Sequence, residues 1–142
     1  MRWYSSLQPS MGGAVGGRMT EAQNQGLILV VEDDTDIREE MAALLEGEGY
    51  RVAQARNGQE ALERLKQAPL PCMILLDLMM PVMNGWDFRA LQMANPSLKE
   101  IPTVIVSGAA QAAKEAASLN ATGFLQKPFD LDPLLDVIEQ YC

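Results

Sequence analysis

Apolar and polar positions alternate between two rhythms from Leu27 onward. Leu27-Ile28-Leu29-Val30-Val31 and Cys72-Met73-Ile74-Leu75-Leu76 are short, wholly apolar runs, as expected for strands covered on both faces. Ile101 to Val106 and Thr122 to Gln126 predict two further strands, and the more polar Tyr50 to Ala55 predicts one at a sheet edge. Between them the spacing turns helical. Asp34 or Thr35 can cap a helix carrying Ile37, Met41, Leu44 and Leu45, which ends near Gly47 and Gly49. Asn57-Gly58 leads into a helix with Ala61, Leu62 and Leu65, and Asn84-Gly85 into one with Phe88, Leu91 and Met93 that stops before Pro96. Gln111 to Leu119 predicts an alanine-rich helix, and Pro133 is suited to open a last helix with Leu134, Leu135, Val137, Ile138 and Tyr141. Five strands alternating with five helices, the central strands apolar throughout, predict an α/β fold with a doubly wound parallel sheet.

Residues 1–26 lack any sustained period. Gly12, Gly13, Gly16 and Gly17 with Pro9 and scattered serines predict a flexible tail ahead of a single domain at 27–142, and Met11 or Met19 could each be a start.

Composition narrows the chemistry. The 142 residues are 48% hydrophobic and 21% charged, which suits one soluble globular domain with a respectable core. No apolar run approaches the roughly 20 residues that cross a bilayer, and Arg2, Trp3 and Tyr4 do not form a secretory signal, so a cytoplasmic location is expected. The net charge of −8 disfavours nucleic acid and anionic lipid as direct partners. The chain has no histidine, which excludes histidine-based acid–base and triad chemistry. Cys72 and Cys142 form no Cys-x-x-Cys metal motif and are expected as two free thiols suited to a reducing compartment.

A doubly wound sheet binds ligands at the carboxyl ends of its strands, beside the switch point in strand order. The residues there are Glu32, Asp33 and Asp34 after the first strand, Asp77 after the third, Ser107 after the fourth and Lys127 after the fifth. Taken singly, each has a structural explanation. An Asp or Ser past a strand forms turns or caps helices, a lysine is a solvated charge, and Lys127-Pro128 can mark a turn. Taken together, they bring carboxylates, a hydroxyl and an ammonium to one rim.

The segments LILVVEDDTDIRE, MILLDLMMPVMNGWDF, VIVSG and ATGFLQKPF resemble the four landmark segments of response-regulator receiver (CheY-like) domains of two-component signalling systems, over residues 27–142. The resemblance implies a flavodoxin-like (βα)5 fold with strand order 2-1-3-4-5. It implies that Asp77 accepts a phosphoryl group from a histidine kinase or histidine phosphotransfer protein. Glu32, Asp33, Asp77 and the backbone carbonyl of Met79 would hold Mg²⁺ or Mn²⁺, with Asp34 as a cap or outer-shell acid. Ser107 would be the switch hydroxyl, Lys127 the phosphate-pairing lysine before an often cis Lys127-Pro128 bond, and Phe124 the rotating aromatic of an α4-β5-α5 output face. Asn84 stands where the family often has an acid, and Trp86 is read either as packing or as a partner contact. Met79 and Ala109, two residues past Asp77 and Ser107, cannot orient a water, which implies slow loss of the phosphoryl group. The small side chains of 109–117 suit a moving part.

The chemistry fits these residue types. A carboxylate among carboxylates needs a divalent cation, and an all-oxygen site suits Mg²⁺ or Mn²⁺. Two other readings stand beside this one. A degenerate receiver would serve only as a protein-interaction module, but Glu32, Asp33, Asp77, Ser107 and Lys127 all being present argues against it. A haloacid-dehalogenase-type phosphatase would carry Asp-x-Asp after the first strand, where this chain has Glu32-Asp33-Asp34. The output target or a fused output domain, and any phosphorylation-dependent homodimer, are left open.

Overall fold

A computed structural model describes residues 26–108 and 112–142. The expected flexible tail and Ala109 fall outside these residues, except for Gly26. The elements run β1 Leu27–Val31, α1 Thr35–Gly47, β2 Arg51–Ala55, α2 Gly58–Arg64, β3 Met73–Asp77, α3 Gly85–Met93, β4 Thr103–Ser107, α4 Ala112–Ser118, β5 Gly123–Gln126 and α5 Leu131–Tyr141. The five strands form one parallel sheet in the order β2-β1-β3-β4-β5. Fold class and strand order are as the sequence predicts.

Alternation along the strands divides the core between the two faces of the sheet. Leu29, Val31, Ile74, Leu76 and Ile105 meet Ala61 of α2, Leu65 just past its end, Phe88 of α3 and Ala116 of α4. Ile28, Val30, Met73, Leu75, Val104 and Val106 meet Met41, Leu45, Leu134 and Ile138 of α1 and α5. β1, β3 and β4 are buried at every position, which is why they read as unbroken apolar runs. β2 is only partly buried and lies at the sheet edge, as its polarity predicts.

The helices start where the sequence places caps. Asp34, Asn57 and Asn84 each accept a backbone N–H from three residues on, at Ile37, Glu60 and Asp87. Other boundaries and faces differ from expectation. Tyr50 precedes β2, Ile101 precedes β4 and Thr122 precedes β5. α5 begins at Leu131, so Pro133 is its third residue, still within the first turn where no intrahelical acceptor awaits its missing N–H. Leu44, Leu91 and Tyr141 point to solvent rather than into the core. Their places on the buried stripes are taken by Arg38 in α1 and by Arg89 and Gln92 in α3.

The largest departure concerns the cysteines. Cys72 and Cys142 are not free thiols but a disulfide, with Cα atoms 5.5 Å apart across 70 residues of sequence. The topology explains it: α5 runs back along the sheet and brings its end beside the start of β3, at the pole opposite the strand ends. No helix among the described residues is long and apolar enough to cross a membrane.

Candidate functional site

Three strand ends deliver the carboxylates and their cation. Val31 is followed directly by Glu32 and Asp33, Asp77 closes β3, and Lys127 follows β5. One carboxylate oxygen each from Glu32, Asp33 and Asp77 lies within 4.8 Å of the others. Lys127 Nζ sits 2.5 Å from Glu32 Oε1 and 3.7 Å from Asp77 Oδ1. Glu32 and Asp77 are buried, whereas Asp33 is exposed, so the trio opens to solvent on one side.

Ser107, at the end of β4, is also buried. Its backbone carbonyl accepts the Lys127 N–H at 2.8 Å, which ties the lysine's strand to the hydroxyl's. The Lys127-Pro128 bond is cis. Asp34 acts as a helix cap, its Oδ1 accepting Ile37 N–H at 3.1 Å. The Met79 side chain projects outward, and its N–H bonds the Asp77 carboxylate. Phe124 on β5 is 45% exposed, outward on the sheet face opposite the buried Leu125.

The turn after Asp77 is built on close approach. A Cβ at Gly85 would lie 2.5 Å from Asp77 O and 2.8 Å from Leu78 Cα, so only glycine lets α3 start against this loop. Val82, in the same turn, has φ 69°, an uncommon conformation for a β-branched residue, and is almost fully exposed.

Electrostatics follow from crowding. Burial first, then the charge of Glu32 and a hydrogen bond shared with it, push the Asp77 carboxyl up to about 7, against the opposing pull of Lys127 and the Met79 N–H. Burial would lower the Lys127 ammonium, but its bond to Glu32 and the charges of Asp77, Glu32 and Asp33 outweigh this and hold it above its ordinary value. The site carries more negative charge than one lysine balances. Three clustered hard-oxygen carboxylates with an open side fit Mg²⁺ or Mn²⁺.

Two positioning groups escape the sequence reading. Arg38 is buried in α1 and donates to Glu32 O at 3.0 Å and to Gln54 Oε1 at 3.1 Å, which fixes the loop that carries the acids. Arg89 in α3 donates to Leu119 O, Asn120 O and Gln92 Oε1, gripping the chain where α4 ends. Their signal was available, because both are charged residues on helix stripes otherwise given to the core. Trp86 is half-buried against the first core cluster, and its indole N–H donates to Glu115 Oε1 of α4 at 2.9 Å.

The family model of the response regulator receiver domain matches residues 28–139. The chain belongs to this family. Among response-regulator relatives, it is 40% identical to response regulator RR06 of Streptococcus pneumoniae over 106 residues, spanning 73% of this chain and 47% of that protein. An uncharacterized 14.6 kDa protein of Leptolyngbya boryana is 33% identical over 117 residues, covering 81% of this chain and 88% of that one. Among solved structures, chemotaxis response regulator CheY4 of Vibrio cholerae superposes with a TM-score of 0.75 at 29% identity, covering 84% of this chain and all of the other. The chain thus spans about half of the pneumococcal relative and nearly all of the other two. Family membership places this receiver among two-component signalling proteins.

Proposed function

We propose that residues 27–142 are a working receiver in which Asp77 accepts a phosphoryl group from a histidine kinase or histidine phosphotransfer protein. One observation carries this reading: the Asp77 carboxylate sits in reach of two further carboxylates and 3.7 Å from the Lys127 ammonium. An Asp77 oxygen attacks phosphorus in line, forming an acyl phosphate as the bond to the donor nitrogen breaks. Lys127 pairs with one phosphoryl oxygen and the Ser107 hydroxyl with another. Glu32, Asp33, Asp77 and the Met79 carbonyl would hold Mg²⁺ or Mn²⁺, which supplies positive charge against the phosphoryl oxygens. Positioning and electrostatics carry the rate, so the chain assists its own phosphorylation and dephosphorylation without being a turnover enzyme for other substrates.

Lys127 is held by Glu32 at 2.5 Å, so taking up the phosphoryl group requires the lysine to redistribute toward it. Ser107 shifts with it, and Phe124, now outward, turns into the space behind, changing the α4-β5-α5 face that partners read. The weak apolar anchoring of α4, whose buried residue among those described is Ala116, supports a movable face. The protein works in the cytoplasm. The test is labelling by acetyl phosphate with and without Mg²⁺, read by intact mass. One phosphoryl group that appears only with Mg²⁺ supports the reading. No uptake would favour an interaction module, and turnover of phosphomonoesters would favour a phosphatase.

A further inference from the structure

We infer that Cys72–Cys142 is a reversible thiol–disulfide lock on α5, so that the redox state of this pair regulates how readily the receiver switches. This rests on the phosphoacceptor reading only for its effect on Asp77, not for the lock itself. The two ends of the bond differ in how firmly they are held. Cys72 belongs to the sheet: it adjoins β3, and its N–H bonds Leu27 O of β1 at 2.8 Å. Cys142 belongs to the last turn of α5, its N–H bonding Ile138 O at 2.8 Å. The bond therefore ties a mobile candidate to a fixed frame.

α5 has few other restraints at its ends. Its N-cap, Asp130, makes no side-chain capping bond. Its last turn has no basic residue and carries Glu139 against the negative end of the helix dipole. Leu134 and Ile138 are its fully buried anchors, and Glu139, Gln140 and Tyr141 are exposed. Breaking the bond leaves the final turn beyond Ile138 to fray. Both cysteines are only partly buried, so a thiolate can reach either sulfur. A domain with two extended core clusters does not need a staple to fold, and in the cytoplasm proposed above a disulfide is characteristically transient or redox-sensing.

The chemistry is exchange with a low-molecular-weight disulfide of the oxidised-glutathione class. One protein thiolate attacks a sulfur of RSSR and expels RS⁻. The other thiolate then attacks the resulting mixed disulfide and expels a second RS⁻. Overall, two protein thiols and RSSR give the protein disulfide and two RSH, with two electrons passing to the small molecule. The link to the site is short: Lys127 lies four residues before α5 begins at Leu131. An α5 pinned at its far end resists the adjustment that Lys127 and β5 must make.

The test equilibrates the full chain in reduced and in oxidised glutathione buffers. Thiol content is read by alkylation and mass, backbone hydrogen exchange is followed along the chain, and the initial rate of labelling by acetyl phosphate with Mg²⁺ is measured in each state. The expected result is a bond that forms and opens with the buffer, exchange across 139–142 severalfold faster when reduced while β1 and β3 are unchanged, and labelling severalfold faster when reduced. Cys142→Ser should match the reduced chain in both buffers, and Cys72→Ser provides the same control from the other side. Failure of the bond to form, exchange or labelling that ignores redox state, or a redox response that persists in Cys142→Ser would each overturn the lock. A chain whose α5 exchange follows redox state but which takes no label in either state overturns the phosphoacceptor reading alone.

Discussion

At the scale of single residues, Asp77 shows how one carboxylate can be costly and useful at once. Its carboxyl stands at about 7 instead of 3.8, so the folded chain keeps a proton there that the unfolded chain releases. Without a divalent ion, this contribution to stability is fully present below pH 3.8 and is lost as pH rises through 7. Asp77→Asn should therefore flatten the pH dependence of urea unfolding over that window and stabilise the ion-free protein by about 1–3 kcal/mol at pH 8. A variant that is less stable there would contradict the electrostatic picture. Met79 carries a second expectation, because its side chain lies in solvent beside Asp77 and offers no polar group to a water. Met79→Asn should shorten the acyl-phosphate lifetime severalfold, seen as faster decay of the phosphorylated mass, while the fold is unaffected. Both carboxylate partners of Asp77 were legible from their place after an apolar strand. Arg38 was passed over, since a charged residue on a helix is ordinarily solvated, and its coincidence with the Met41, Ala42 and Leu45 stripe is the one mark of its burial.

At the scale of elements, α3 sets the geometry on both of its sides. Its start is pressed against the Asp77 loop, where a Cβ on Gly85 would collide with backbone atoms at 2.5 and 2.8 Å. Gly85→Ala should cost about 2–3 kcal/mol of stability, because backbone cannot yield as a flexible side chain can. From its first turn onward, Trp86 and Arg89 reach across to Glu115 of α4 and to the carbonyls of Leu119 and Asn120 just past its end. These polar ties supplement what its small side chains contribute in packing. Trp86→Phe removes the indole donor while keeping an apolar ring, and should raise hydrogen exchange across 113–119 at a cost of about 1 kcal/mol. Unchanged exchange there would show that α4 is seated by packing alone. The alanine-rich sequence made α4 recognisable as weakly packed. Its partners on α3 were out of view, because Trp86 and Glu115 are 29 residues apart and no local pattern joins them.

At the scale of the whole molecule, topology turns scattered sequence signals into one site and one cross-link. Strand order and helix alternation were readable because each apolar run had the length and cover of a central parallel strand. The convergence of Glu32, Asp33, Asp77 and Lys127 was readable because strand ends in such a sheet share a rim. The disulfide was not, since the meeting of Cys72 with Cys142 depends on the length and tilt of α5, which periodicity does not set. Closing a loop of about 70 residues stabilises the folded chain by about 4 kcal/mol in the chain-entropy account. What the molecule as a whole is built to do comes down to the fate of one side chain. Treating the acetyl-phosphate-labelled, Mg²⁺-containing protein with borohydride and locating the reduced residue by peptide mass measures this directly. The account predicts homoserine at position 77 and nowhere else, lost in Asp77→Asn and strongly diminished in Lys127→Ala. A phosphoryl group located on another residue, or labelling that survives Asp77→Asn, would contradict it.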